Sequence, residues 1–175
     1  FGSFATWRTG LSWRPVPRGR VRAAVGTALK EPTFFETFGS PWVTGNEALR
    51  PERSRSWEVG GELDLGRGAA VSATVFAQRF ADLIQYTFVP PAPGQPNYFN
   101  IAAARSAGLE TELALALGRG LTARGHYTYV STAVTDAGFE TAPDGAFAQG
   151  RALLRRPAHA AGVALGWSRA GTAIH

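Results

Sequence analysis

The feature that most restricts the fold is a regular alternation of apolar and polar residues. In the segment SWEVGGELDL, residues 56–65, one face carries Trp57, Val59, Leu63 and Leu65 and the other carries Ser56, Glu58, Glu62 and Asp64. A period of two residues indicates a β-strand with one apolar face. The same alternation recurs over residues 5–14, 21–30, 71–78, 108–115, 122–129 and 161–167. The sequence therefore predicts an all-β, antiparallel up-and-down meander of seven strands, with an eighth starting near residue 172.

The connections between these strands alternate between short and long. Short turns occupy residues 15–19, 66–68 and 118–120, and long segments occupy residues 31–54, 85–99 and 132–157. In outer-membrane barrels the turns at one end are tight and the loops at the other end are long. The pattern therefore predicts part of a transmembrane β-barrel, with its apolar face toward lipid. A soluble β-sandwich is the competing interpretation, and it gives no reason for long loops to gather at one end.

Charged residues follow the same alternation. The polar face carries Arg8, Arg14, Arg22, Lys30, Glu58, Glu62, Asp64, Glu110, Glu112 and Arg124. We expect ion pairs across neighbouring strands, Arg22 with Glu62 or Asp64, and Arg124 with Glu112. Two arginines, Arg79 and Arg105, fall on the apolar face instead. Counting from their short turns places both near the top of a ~25 Å apolar band, where an arginine costs little.

Composition excludes several functions. The chain has 175 residues, a net charge of +5 and no Cys or Met, but its arginines are scattered over strands and turns, which argues against nucleic-acid binding. The histidines, His126, His159 and His175, have neither a nearby nucleophile nor metal-ligand spacing. We therefore predict no enzyme activity, no metal site and no cofactor. The chain begins and ends within strand patterns, so we expect residues 1–175 to be a fragment of one barrel domain, without its plug.

The long segments contain motifs that resemble a known family. Residues 26–36 read GTALKEPTFFE and residues 45–60 read GNEALRPERSRSWEVG, and later landmarks follow in the family's order at residues 82–86, 98–100, 108–110 and 154–157. Together they resemble the barrel of TonB-dependent outer-membrane receptors, with Leu29 in place of the usual Phe and Glu47 in place of the usual Pro. Within that family the spacing is most similar to the cobalamin transporters.

The resemblance implies a location in the outer membrane of a Gram-negative cell and a barrel of about 22 strands around a plug. It implies active import of a large scarce nutrient, cobalamin first and an iron-siderophore second, with the TonB partner contacting a region outside these residues. From the residues alone, a passive porin or a secretion-type barrel is the alternative function.

Aromatic residues in the long segments are the candidate substrate contacts. They are Phe34, Phe35, Trp42, Tyr86, Phe88 and Tyr98. Flat rings suit a bulky ring-shaped substrate at the extracellular mouth. The alternative is that they pack the loops together or belong to the aromatic girdle, a role that we predict for Trp7, Trp13, Trp57 and Trp167. We expect residues 45–52 to shape the base of the loop and not to bind ligand.

Overall fold

The computed structural model describes residues 3–90, 92–138, 145–169 and 172–174; His175 lies outside them. The long strands are β1 (Arg8–Val16), β2 (Gly19–Lys30), β5 (Glu52–Gly66), β6 (Ala69–Tyr86), β7 (Tyr98–Gly118), β8 (Leu121–Asp136) and β9 (His159–Arg169). The short elements are helix α1 (Phe34–Phe38) and strands β3 (Gly39–Ser40), β4 (Val43–Thr44) and β10 (Thr172–Ile174). No helix in the described ranges is long and apolar enough to cross a membrane.

Within the described residues, eight strands form one sheet in the order β1-β2-β5-β6-β7-β8-β9-β10. Every neighbouring pair is antiparallel. The small hairpin of β3 and β4 is inserted, with α1, in the connection between β2 and β5. This arrangement confirms the predicted all-β meander.

The apolar face of the sheet is exposed. Val59, Leu63, Val163 and Leu165 keep 45%, 43%, 80% and 64% of their surface accessible. In a soluble sandwich these side chains would be buried together against a second sheet. Within the described residues no second large sheet covers this face, and an exposed apolar face is what a lipid-facing barrel wall requires.

Two of the tight turns share one sequence and one geometry. Residues 66–68 and 118–120 both read Gly-Arg-Gly, and all six residues have positive φ, with Arg67 and Arg119 both at 53°. Two-residue hairpins favour such left-handed turns because their twist matches that of the strands, and glycine adopts them without strain. The arginines occupy positions that a side chain disfavours.

The strands extend further on the long-loop side than the alternation predicted. β6 continues to Tyr86, where the predicted strand ended at residue 78, and β7 begins at Tyr98, not at residue 108. The alternation fades there because loops cover both faces of these strand ends. A small core forms at this end from Phe99, Ile101, Ala104, Val134 and Phe147. Helix α1 and hairpin β3–β4 likewise lie in a segment that the sequence predicted to be irregular.

Ion pairs cross the polar face. The Nη2 of Arg22 lies 2.9 Å from Glu62 Oε1, as predicted, and the Nη2 of Arg20 lies 2.6 Å from Glu62 Oε2. The predicted pair of Arg124 with Glu112 is wrong, although the register places the two residues diagonal to each other, with Arg124 opposite Ala114 and Glu112 opposite His126. Among the described residues these two side chains form no ion pair with each other.

Candidate functional site

The first element of the candidate site is helix α1, which begins with a capping box. Thr33 Oγ1 accepts a hydrogen bond from the Glu36 backbone N–H at 3.2 Å, and Glu36 Oε2 accepts one from the Thr33 N–H at 2.7 Å. These two bonds satisfy donors that a helix start leaves free. Lys30 Nζ lies 3.5 Å from Glu36 Oε1 and 3.0 Å from Glu52 Oε1. The helix is therefore fixed to the outer ends of β2 and β5.

The carboxyl of Glu36 is held in its charged form. Partial burial alone would raise its pKa, but the hydrogen bonds from Thr33 and the ammonium of Lys30 outweigh burial and hold the pKa of Glu36 below 4.5. A carboxylate near a helix N-terminus also interacts favourably with the helix dipole. The cap is therefore complete at neutral pH.

Two asparagines connect the first long segment to the hairpin of β6 and β7. Asn97 Oδ1 accepts a hydrogen bond from the Thr44 N–H, and its Nδ2 donates to the carbonyl of Thr87, both at 2.9 Å. Asn46 Nδ2 donates to the carbonyl of Tyr98 at 2.9 Å. Because these bonds join backbone to side chain across different loops, they hold the two segments in one arrangement.

A third asparagine completes this junction. Asn100 accepts from the Arg50 N–H at 2.9 Å and donates to the Arg50 carbonyl at 3.0 Å. Asp82 is only 6% exposed and pairs with the guanidinium groups of Arg50 at 2.6 Å and Arg53 at 2.7 Å. We call Asn46, Asn97 and Asn100 the amide latch. Residues 45–52 thus shape the base of the loop, in agreement with the sequence-based expectation.

Four of the six predicted aromatic residues form one continuous set of ring contacts. Phe35 packs edge-on against Tyr98 at 6.0 Å between centroids, Tyr98 packs against Tyr86 at 5.2 Å, and Tyr86 meets Phe88 at 4.9 Å. Centroid distances of 4.5–7 Å are favourable for aromatic pairs. We call Phe35, Tyr98, Tyr86 and Phe88 the aromatic ladder. It is held beside the amide latch, because Tyr98 accepts the bond from Asn46.

The other two predicted residues lie apart from this ladder. Phe34 packs against Phe38 at 4.7 Å. Trp42, at the tip of the β3–β4 hairpin, is 92% exposed and has no ring contact with any described residue. The structure therefore brings together four of the six predicted aromatic residues.

The predicted girdle residues lie on the exposed apolar face. Trp7, Trp13, Trp57 and Trp167 all keep more than a third of their surface accessible. The sequence interpretation missed three neighbours on β8 and β9, Tyr127, Tyr129 and His159. The Tyr127 hydroxyl lies 2.8 Å from His159 Nδ1, and the His159 ring packs on Tyr129 at 5.2 Å. Amphipathic rings of this kind suit the interface between lipid and water.

The latch was also missed by sequence reasoning. Asn97 and Asn100 flank two aromatic residues in the run NYFN, and polar amides beside aromatics in a long segment are the signal that could have found them. No group of three or more His, Cys, Asp or Glu residues suited to a metal ion occurs in the part of the chain that the structure describes.

Comparison with known proteins identifies the family. Residues 1–173 match the family model described as "TonB dependent receptor-like, beta-barrel". Similar solved structures include the siderophore receptor PirA from Pseudomonas aeruginosa, with 24% identity and a TM-score of 0.62 over 75% of this chain. The FrpB iron transporter from Neisseria meningitidis has 16% identity and a TM-score of 0.66 over 95% of this chain.

A third similar structure is a mutant of the ferric enterobactin receptor PfeA from Pseudomonas aeruginosa in complex with enterobactin, with 20% identity and a TM-score of 0.67 over 95% of this chain. The chain spans about a quarter of the length of each, 25% of PirA, 24% of FrpB and 26% of PfeA. At these identities the likeness shows the fold. Because the family model covers nearly the whole chain, the protein belongs to the TonB-dependent receptor-like family of outer-membrane β-barrels.

Proposed function

We propose that the protein contributes part of the barrel wall and extracellular mouth of an active importer whose substrate is an iron-siderophore chelate. The aromatic ladder is the observation that carries this proposal. Its rings stand at the outer ends of β6 and β7 and on α1, where an incoming substrate first meets the barrel, and Phe88 is 80% exposed. Flat, partly exposed rings beside fixed polar groups are typical of sites for bulky organic ligands.

The amide latch supports the same proposal through preorganisation. Asn46 and Asn97 tie the segment that carries Phe35 to the hairpin that carries Tyr86 and Tyr98. Ordering a loop when a ligand binds costs free energy, so a loop that is already fixed binds more tightly. Two of the similar structures, the siderophore receptor PirA and the ferric enterobactin receptor PfeA, favour the iron-chelate class.

Cobalamin is the second candidate, and the sequence spacing at residues 26–60 favours it. None of the three relatives described above is named for cobalamin. In either case we propose that transport is driven through TonB, which would contact the protein outside the residues present here.

Binding by the full-length protein in detergent tests the substrate class. We expect ferric enterobactin to bind and cyanocobalamin not to bind, as measured by calorimetry. If only cyanocobalamin binds, the substrate is cobalamin, the second candidate. If neither binds, and the protein in planar bilayers conducts ions steadily without TonB, the protein is a passive barrel.

Variants of the aromatic ladder test the site. Phe88→Ala removes an exposed ring that contacts Tyr86 and should weaken siderophore binding by about tenfold, the size of one lost aromatic contact with its buried area. Phe34→Ala is the matched control, because Phe34 is equally exposed but packs only on Phe38 among the rings described. Equal effects of the two variants, or none from either, would contradict the ladder as the binding site.

A further inference from the structure

Three arginines lie side by side on the lipid-facing surface. The register pairs Arg55 of β5 with Arg79 of β6, and Arg79 with Arg105 of β7. All three side chains are exposed, and they share the face of Trp57 and Val75. We call Arg55, Arg79 and Arg105 the arginine row. The sequence alternation revealed only two of its members, because the predicted third strand began at residue 56.

Such a row is unfavourable by itself. Like charges directly opposite one another on neighbouring strands repel, since their Cβ atoms are about 4.5–5.5 Å apart. Within the described ranges, none of the three guanidinium groups forms an ion pair with a carboxylate. The nearest acidic group along β6, Asp82, is already engaged by Arg50 and Arg53. An anion from outside these residues would therefore relieve the repulsion within the row.

The depth of the row identifies where that anion comes from. Arg55 and Arg79 are each 12 residues from Arg67 of the short turn, and Arg105 is 14 residues from Arg119. At about 3.3 Å per residue and a tilt near 40°, the row lies roughly 30–35 Å above the turns. The apolar band of such barrels is ~25 Å tall, so the row is level with the headgroups of the outer leaflet.

The surface around the row has room for a headgroup. Arg79 and Arg105 are flanked on their own strands by alanines, Ala77 and Ala81 on β6 and Ala103 and Ala107 on β7. A groove of about 470 Å³ adjoins the row on the side of β2, and its lining includes Trp7, Thr27, Leu29, Arg55 and Arg79. Apolar and aromatic side chains beside guanidinium groups offer contacts for both an acyl chain and a charged headgroup.

From these observations we infer that the arginine row binds the phosphate of an anionic lipid in the outer leaflet. Guanidinium groups donate paired hydrogen bonds to phosphate oxygens, and they do so more strongly than neutral donors. One phosphate bridging two neighbouring arginines would convert their repulsion into a shared attraction. The inference depends on the membrane placement of the sheet and is independent of which nutrient is imported.

The test compares lipids with identical acyl chains on the full-length protein in detergent. Dioleoyl phosphatidic acid carries a phosphomonoester, and dioleoyl phosphatidylcholine carries a phosphate neutralised by choline. We expect native mass spectrometry to show preferential retention of phosphatidic acid. The Arg79→Gln/Arg105→Gln variant should bind it about twenty-five-fold more weakly, at about fivefold for each basic residue near a charged lipid surface.

Two controls make the result specific. The Arg14→Gln/Arg124→Gln variant removes the same charge from the polar face and should retain the lipid. The Arg79→Lys/Arg105→Lys variant keeps the charge but loses the paired hydrogen bonds, so it should bind the lipid more tightly than the Gln variant and less tightly than the wild type, and it shows that the site tolerates substitution. Equal loss in the polar-face variant, or no loss in the Gln variant, would overturn the inference. Displacement of the lipid by millimolar inorganic phosphate would assign the row to a free anion instead.

Discussion

Glu36 shows how one side chain can order a whole loop. It closes the capping box of α1 and also reaches Lys30, so its charge fixes the helix to the end of β2. Its pKa lies below the ordinary value of 4.5, because its hydrogen bonds and Lys30 outweigh the effect of burial. A carboxyl with a lowered pKa stabilises the folded loop above its unfolded pKa, and that contribution is lost as the pH falls through the folded value.

We therefore expect acid to loosen the loop that carries α1. Residues 1–175 contain no cysteine, so Ser40→Cys adds a single labelling site within them, on the loop that carries α1. Its electron paramagnetic resonance spectrum should show a more mobile label as the pH falls below 4.5. With Glu36→Ala added, which removes both the capping bond and the pair with Lys30, the label should be mobile at every pH. A wild-type spectrum that does not change on acidification would contradict this role of Glu36.

For single residues, the strand alternation correctly predicts which face of the sheet a side chain lies on. Arg22 and Glu62 were expected to pair because both fall on the polar face of adjacent strands, and they do. Arg124 and Glu112 form no pair, although they are diagonal to each other across neighbouring strands, as Arg22 and Glu62 are. The strand pattern therefore fixes the face on which a residue lies, but it does not decide which long side chains on that face meet.

The backbone conformation of each short turn sets the register of the two strands that it joins. Arg67 has a φ of 53° between two glycines, a conformation in which a long side chain is strained and asparagine is tolerated. Arg67→Asn should stabilise the protein by about 0.5–1 kcal/mol, measured by denaturant unfolding in lipid vesicles. Arg18→Asn is the matched control, since Arg18 stands in a tight turn but is not among the residues with positive φ. An equal gain in both variants would show that the strain at Arg67 is not the cause.

Whole strands could be predicted from the sequence where the two faces of the sheet lie in different environments. Strands with one face toward lipid and the other toward the barrel interior must alternate, so residues 56–65 already revealed β5. Their outer ends could not be found in this way. At Ile101 and Val134 the side chains are fully buried under loops, and that covering is a long-range property which no local pattern encodes.

At the scale of the whole molecule, the acyl chains of the lipid bilayer cover the apolar face of the sheet, as a second protein layer would in a soluble protein. Ala73→Arg places a charge on the lipid-facing side about 15 Å above the short turn, near the middle of the apolar band. It should lower the free energy of unfolding in lipid vesicles by about 2–4 kcal/mol. Thr74→Arg is the control, because Thr74 faces the interior opposite Glu110. A similar loss in both variants would mean that the exposed apolar face does not contact lipid.

The amide latch has a consequence for how the mouth of the barrel withstands its surroundings. Asn46, Asn97 and Asn100 hold the loops through neutral groups that do not titrate, and such bonds are hardly weakened by dissolved salt. Exposed ion pairs, such as that of Lys30 with Glu36, are weakened by salt and by acid. The bonds between the two loops should thus persist through changes of salt and pH in the external medium, including those that loosen α1.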